Sequence, residues 1–180
     1  MNVHCDQTRQ RLPAARNTLW IFASALMGLL LVFRTHYSLY LTKGESMLPG
    51  LQSGDLVLVD KLAYRTTEPE RGDIVVARDH DDLIVKRVVG LPGEEIELVQ
   101  GKLRVNRQPF PEAYAVEPGM LSLQRGRLWE DRYALLGDNR AVSSSTVVHA
   151  VVAKEQIVGK VVQSLRLWPD WWTAKFNPAA

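Results

Sequence analysis

Two patterns of hydrophobic residues divide this 180-residue chain. Residues 18–33 (TLWIFASALMGLLLVF) form one uncharged run, whereas beyond Gly44 short segments alternate apolar and polar residues. An uninterrupted run is typical of a membrane-crossing helix, and alternation is typical of strands that bury one face. The sequence therefore predicts an N-terminal helix followed by a β-rich domain.

The apolar run is short for a bilayer. As a helix, residues 19–33 would extend about 22 Å, whereas the hydrocarbon core is roughly 30 Å thick. We expect a transmembrane anchor over residues 18–36 that takes the missing length from its flanks. A cleaved secretory signal is the alternative, because its apolar region has a similar length. No clear small-x-small cleavage site follows Phe33, which favours the anchor.

The basic residues around the run predict its orientation. Three arginines precede it, Arg9, Arg11 and Arg16. Since positive charge is enriched on the cytoplasmic side, we expect residues 1–17 to be a cytoplasmic tail and residues 37–180 to be extracytoplasmic.

The domain after the anchor is expected to be mainly β, an antiparallel sheet or barrel-like arrangement. Its alternating segments are bounded by Gly, Pro or Asp, and include DLVLVDK, GDIVVAR, DLIVKRVVG and QIVGKVVQSLRLW. Residues 97–106 (ELVQGKLRVN) predict a hairpin with Gly101 and Lys102 in a type II′ turn. Residues 111–132 have weaker patterning and predict a long loop or an inserted hairpin.

Charge and composition exclude several classes of protein. Residues 1–36 carry a net charge of +3 and residues 37–180 carry −1, so the domain lacks the basic excess of a nucleic-acid-binding protein. Cys5 is the only cysteine, which excludes an intrachain disulfide. The four histidines lack metal-ligand spacing, and we expect neither a metal nor a cofactor.

Ser46 is a candidate nucleophile just outside the apolar run. It follows Gly44 and precedes Pro49, a setting that favours a turning backbone and an exposed hydroxyl. A serine hydroxyl is a weak nucleophile at neutral pH unless a base lies within hydrogen-bond reach.

Lys86 is the candidate base. It lies inside the predicted strand DLIVKRVVG, on the face of Ile84 and Val88, while Arg87 points to the opposite face. Burial disfavours an ammonium and lowers a lysine pKa by up to about 3–5 units. A buried lysine could therefore accept a serine proton.

A third segment, LLGDNRAVSSST (residues 135–146), combines a turn composition with three consecutive serines. A hydroxyl here could orient the lysine amine. The segment alone is weak evidence, because Gly-Asp-Asn is most often only a tight turn.

Together these segments resemble a known family. SMLPGLQSGDLVLVDK, RGDIVV, VKRVVGLPGEEIEL and LLGDNR occur in the order and setting seen in type I signal peptidases, behind a membrane span. The resemblance covers residues 44–162 and implies a membrane-anchored serine protease with a Ser-Lys dyad. It implies Ser46 as nucleophile, with its backbone N–H as oxyanion donor, Lys86 as general base, and Ser143 as the hydroxyl that positions the lysine.

The resemblance also implies a substrate and a location. Signal peptides of exported precursors would bind extended and be cut after small residues (A-x-A). We expect the enzyme to be a monomer in a bacterial inner membrane, with the lipid bilayer as its other partner. The residues expected to contact substrate are Tyr40, Thr42, Met47, Leu51, Ile84 and Val85. Those expected to support the architecture are Gly137, Asp138, Asn139 and Arg140.

The chain departs from the family pattern at three positions. Ser145 and Val147 stand where many members have the aspartate and arginine of a supporting ion pair, and Gly44 stands where many have a serine that assists the oxyanion. Two other functions stay open, a Ser-Lys peptidase dedicated to one pilin or conjugation protein, and an anchored β domain that binds peptides without cutting them.

Overall fold

A computed structural model of the chain describes residues 14–141 and 149–167. Backbone contacts divide the chain into a helical unit, residues 1–36, and a β unit, residues 37–180.

The described residues of the helical unit form one helix, α1 (Ala14–His36). Its 23 residues extend about 34 Å at 1.5 Å per residue, enough to cross a bilayer. Thr18–His36 has a mean hydropathy of 1.7 and none of it is buried in the protein. The hydroxyls of Ser24 and Thr35 donate to the carbonyls three residues earlier, so neither needs water. By length and composition α1 is a candidate membrane span.

The β unit is built around a seven-stranded antiparallel sheet with the strand order β1-β2-β11-β3-β4-β9-β10. Its strands are β1 (Tyr37–Leu41), β2 (Leu56–Asp60), β3 (Ile74–Asp79), β4 (Asp82–Gly90), β9 (Arg132–Leu136), β10 (His149–Ala153) and β11 (Ile157–Leu165). One turn of 3₁₀ helix, Lys154–Gln156, joins β10 to β11. The prediction of a mainly antiparallel β fold behind one N-terminal helix is confirmed.

A second, four-stranded antiparallel sheet is inserted between β4 and β9, with the order β7-β6-β5-β8. Its strands are β5 (Glu95–Val99), β6 (Lys102–Val105), β7 (Gln108–Pro109) and β8 (Leu123–Arg127). Residues 111–132 were expected to form a long loop or an inserted hairpin; the strand in this region, β8, pairs with β5 and completes this sheet.

The hydrophobic core has three clusters that follow the alternation of the strands. Val57 and Val59 of β2 are fully buried beside Met47 and Leu51. Val75, Val88 and Leu135 centre a second cluster, and Leu98, Leu103 and Leu136 centre a third beneath the small sheet. The segment that contains Ser46 thus contributes Met47 and Leu51 to the first cluster.

The predicted hairpin is present, but its predicted turn was wrong by one residue. Val99 lies opposite Lys102, so the two turn residues are Gln100 and Gly101. Their φ angles are +48° and +76°, the type I′ pattern of two positive values. The pairing of β5 with β6 places glycine second in the turn, not first.

Gly90 tests how tightly the two sheets pack. A Cβ there would lie 2.7 Å from Ile96 Cγ1 and 2.8 Å from both Ala134 Cβ and Leu128 Cδ1. We expect Gly90→Ala to lower the free energy of unfolding by about 1–3 kcal/mol through overpacking. Gly126→Ala is the matched control, because a Cβ there meets nothing within 4 Å. Denaturant unfolding would measure both, and equal stability of the two variants would contradict this packing.

Candidate active site

Ser46 lies on a turn that is closed at its base by hydrogen bonds. Thr42 N–H donates to Asp55 O at 2.9 Å and Gly54 N–H returns to Thr42 O at 2.9 Å. The Thr42 hydroxyl also donates to Asp55 O and Gln52 O. Within the turn, Met47 and Leu51 are 4% and 3% exposed in the core. These anchors on either side of the turn hold Ser46 in a defined position.

Lys86 lies in the middle of β4. It is opposite Val75 of β3, and the next residue, Arg87, is opposite Leu136 of β9. The side chain of Lys86 is only 4% exposed, as the alternation of the strand predicts. Its amine reaches Ser46, and Nζ and Oγ share a hydrogen bond of 2.5 Å.

Burial changes the charge of this amine. Desolvation lowers the pKa of Lys86 from 10.5 to about 8, while the Asp138 carboxylate acts in the opposite direction. At pH 7 about one molecule in ten then carries a neutral amine, against about one in three thousand for an unshifted lysine. Because only the neutral amine accepts a proton, the site suits general-base chemistry without histidine.

The Gly137-Asp138-Asn139 turn packs directly on the Ser46 backbone. Asn139 N–H donates to Ser46 O and Asn139 Nδ2 donates to Glu45 O, both at 3.0 Å. A Cβ on Gly137 would lie 2.3 Å from Ser46 O, so only glycine fits this approach. The turn therefore sets the position of the serine main chain.

A cleft of about 470 Å³ opens over Ser46 and Lys86. All six residues expected to contact substrate line it. Thr42, Met47 and Leu51 belong to the turn between Thr42 and Asp55 that contains Ser46, here called the serine turn. Tyr40 belongs to β1, and Ile84 and Val85 belong to β4. The cleft also includes Leu41, Lys43, Glu45 and Leu83, which were not predicted.

The backbone at Gly44 accounts for glycine at that position. Its φ is +80°, in the left-handed region that other residues rarely adopt, while the space where a Cβ would lie is open. Conformation, not crowding, thus disfavours a serine here.

Comparison with known proteins fits this geometry. The family model described as "Signal peptidase, peptidase S26" matches residues 15–168. Signal peptidase IB of Staphylococcus aureus is 33% identical over 187 residues, covering 88% of this chain and 94% of that protein. The chain belongs to the signal peptidase S26 family.

Two cyanobacterial members of the family are also similar. A probable signal peptidase I-2 of Synechocystis sp. is 35% identical over 133 residues, covering 69% of this chain. Signal peptidase I of Leptolyngbya laminosa is 34% identical over 135 residues, also covering 69% of this chain. The alignments span 60% and 66% of those two proteins.

Other predicted site residues lie around or beyond this centre. Arg140 is 1% exposed and donates to Gly137 O at 3.0 Å and Gly101 O at 2.7 Å. Ser143, with Ser145 and Val147, lies outside the described residues. Among residues 14–141 and 149–167, no cluster of three or more His, Cys, Asp or Glu could hold a metal.

Sequence reasoning expected Asp138 and Arg140 to support the architecture but did not predict the buried charges that they pair with. Arg87 pairs with Asp138, and Arg140 pairs with Glu112 of the connection between β7 and β8. Tyr114 lies between the pairs, with its ring 3.9 Å from the Arg87 guanidinium and its hydroxyl donating to Glu112. The adjacency of Arg87 to Lys86 was visible in the sequence, but its partner was not.

Lys86→Met is expected to stabilise the fold in a pH-dependent way. The pKa of Lys86 is about 8 when folded and 10.5 in its ordinary state, so below pH 8 the folded protein holds a charged, buried amine. The buried charge lowers the free energy of unfolding by about 3 kcal/mol, from the difference in pKa. This destabilisation disappears as the pH rises from 8 to 10.5.

Unfolding of the detergent-solubilised chain at pH 7 and 10.5 would measure this effect. The gain from Lys86→Met should be larger at pH 7, whereas Lys102→Met, at an exposed site, should show no such difference. A gain that is equal at both pH values would contradict the depressed pKa.

Proposed function

We propose that this chain is a type I signal peptidase, a serine endopeptidase that removes N-terminal signal peptides from exported proteins after small residues. The observation that carries the proposal is the 2.5 Å contact between Ser46 Oγ and the buried Lys86 Nζ in a chain of the S26 family. A serine and a base in direct contact are the minimum required for nucleophilic catalysis.

The reaction follows from this contact. Neutral Lys86 takes the Ser46 proton as Oγ attacks the scissile carbonyl, and the Ser46 backbone N–H stabilises the oxyanion. The new ammonium gives its proton to the leaving amine as the peptide bond breaks, which leaves an acyl-enzyme. Lys86 then deprotonates a water that hydrolyses the ester and releases the signal peptide. Ser143 is proposed to orient the amine throughout.

Two strand edges support binding of an extended substrate. β1 is the edge strand of the large sheet. In the described part of the chain, β9 pairs with β4 only from Arg87 onward, so Asp82–Lys86 has a strand partner on one side alone. A peptide can add main-chain hydrogen bonds at such edges and direct alternate side chains into pockets. Pockets two residues apart explain an A-x-A preference.

The helix α1 supports membrane anchoring. We propose that it crosses a bacterial inner membrane once, with residues 1–17 in the cytoplasm and the β unit outside. Three arginines precede the span, which is the distribution expected for this orientation. This places the cleft on the side where exported precursors emerge.

Replacing either reacting residue should stop cleavage. We expect Ser46→Ala to abolish release of the mature protein from an A-x-A precursor, and Lys86→Ala to lower kcat about 10²–10⁴-fold through loss of the general base. The full chain in detergent would be assayed by gel and mass spectrometry.

Ser53→Ala and Lys102→Ala, at exposed positions, are controls that should retain activity. If wild type and Ser46→Ala yield equal amounts of product, cleavage by Ser46 is excluded. The hypothesis of a domain that binds peptides without cutting them would then remain. Cleavage of only one precursor from a panel would instead indicate a dedicated peptidase.

The activity should depend on pH through Lys86. Because the pKa of Lys86 is about 8, kcat/KM should rise about tenfold per pH unit below that value and level off above it. Initial rates between pH 6 and 10 would measure the profile. A profile that is flat over this range would contradict a titrating lysine base.

A further inference from the structure

Arg87 and Asp138 form a buried ion pair beside the candidate base. Arg87 Nε and Nη2 donate to the two carboxylate oxygens of Asp138 at 2.8 and 2.6 Å. The side chains are 11% and 1% exposed. Water therefore screens neither charge well, and each acts strongly on its neighbours.

The arginine is fixed independently of its carboxylate partner. Its Nη1 donates to Gly72 O at 2.7 Å, and the Tyr114 ring covers its guanidinium at 3.9 Å. The Tyr114 hydroxyl donates to Glu112 at 2.6 Å, which holds the ring in turn. Two contacts besides Asp138 thus hold the Arg87 guanidinium beside the carboxylate.

Among residues 14–141 and 149–167, few charged groups act on the Lys86 amine. Asp138, after β9, is the carboxylate that favours its charged form. Arg87 is its neighbour on β4, and β3 presents the apolar Val75 opposite Lys86. From the serine turn, Lys43 and Glu45 line the same cleft but are exposed, so solvent weakens their effect. Asp138 is therefore the buried charge that acts on the amine, and Arg87 is its direct ion-pair partner.

We propose that Arg87 is a positioning residue for the reaction: by offsetting part of the Asp138 charge, it keeps the Lys86 amine available as a base near neutral pH. The proposal rests on the proposed function, in which Lys86 is the base. Asp138 belongs to the turn that contacts Ser46, and its carboxylate favours the charged form of Lys86; a cation paired with that carboxylate weakens this effect. Arg87 supplies that cation without contacting substrate.

The two members of the pair should shift the pH profile in opposite directions. Without the arginine charge, Asp138 stabilises the Lys86 ammonium and the pKa of Lys86 rises. Without the carboxylate charge, the remaining guanidinium disfavours the ammonium and the pKa falls. When both charges are removed, the pKa of Lys86 should lie between its values in the two single variants. A pair that only supports the fold would lower the rate of every variant without this pattern of signs.

The experiment compares Arg87→Gln, Asp138→Asn and the double variant as full chains in detergent, with kcat/KM for an A-x-A peptide measured from pH 6 to 10. For Arg87→Gln we expect the midpoint to move up by about one pH unit, with about a tenfold loss at pH 7 that disappears at pH 10. Asp138→Asn should move the midpoint down, and the double variant should lie between. Shifts of one sign, or losses equal at all pH values, would overturn the proposal.

Milder variants keep the test open if removal of a buried charge prevents folding. Tyr114→Leu, which removes the ring over Arg87, should move the midpoint up, whereas Tyr114→Phe, which keeps the ring, should retain the wild-type midpoint. Arg87→Lys should also keep the midpoint while lowering kcat, because it keeps the charge but loses the two-point contact. An unmoved midpoint in Tyr114→Leu, or a shift in Arg87→Lys equal to that of an uncharged variant, would overturn the proposal.

A direct measurement separates this proposal from the proposed function. The pH dependence of Lys86 acetylation, followed by peptide mass spectrometry in a Ser46→Ala background, reports the pKa of the amine without any cleavage. If wild type cleaves precursor but the Lys86 pKa does not respond to Arg87, this inference fails and the peptidase assignment stands. If the pKa responds but wild type never cleaves, the electrostatic inference stands and the peptidase assignment fails.

Discussion

The exclusion of water from the Lys86 amine is the constraint on which the proposed chemistry depends. Solvent would keep the amine charged at neutral pH, and a charged amine cannot take a proton from Ser46. The protein achieves the exclusion by placing the lysine inside a paired strand and closing the serine turn over its end. Core packing of Met47 and Leu51 therefore supports the proposed chemistry as well as stability.

One short turn, Gly137-Asp138-Asn139, links the proposed nucleophile Ser46 to the strand of the proposed base Lys86. Gly137 and Asn139 contact the main chain around Ser46, while Asp138 faces Arg87, the residue next to Lys86. A shift of this turn would change the position of the hydroxyl and the charge of the amine together. This explains why a segment with an ordinary turn composition is packed so closely.

The small sheet contributes to the same centre from outside it. Its connecting segment supplies Glu112 to Arg140 and the Tyr114 ring to Arg87, and its main chain exchanges hydrogen bonds with the turn through Glu117. Buried polar groups are stable only when each is satisfied. The inserted sheet thus completes a network that the large sheet does not satisfy by itself, and it contacts the Gly137-Asp138-Asn139 turn.

The sequence by itself determined the apolar helix, the antiparallel strands, and the face of β4 on which Lys86 lies, because these follow from periodicity along neighbouring residues. The motif resemblance also nominated Ser46 and Lys86, 40 positions apart, before any contact between them was visible. Only the tertiary structure decided the ion pair between Arg87 and Asp138, which are 51 positions apart in the sequence, and the contact of the Tyr114 ring with Arg87. It also decided that the hairpin turn begins at Gln100. Such contacts depend on how strands align and sheets pack, and no local pattern in the chain encodes that alignment.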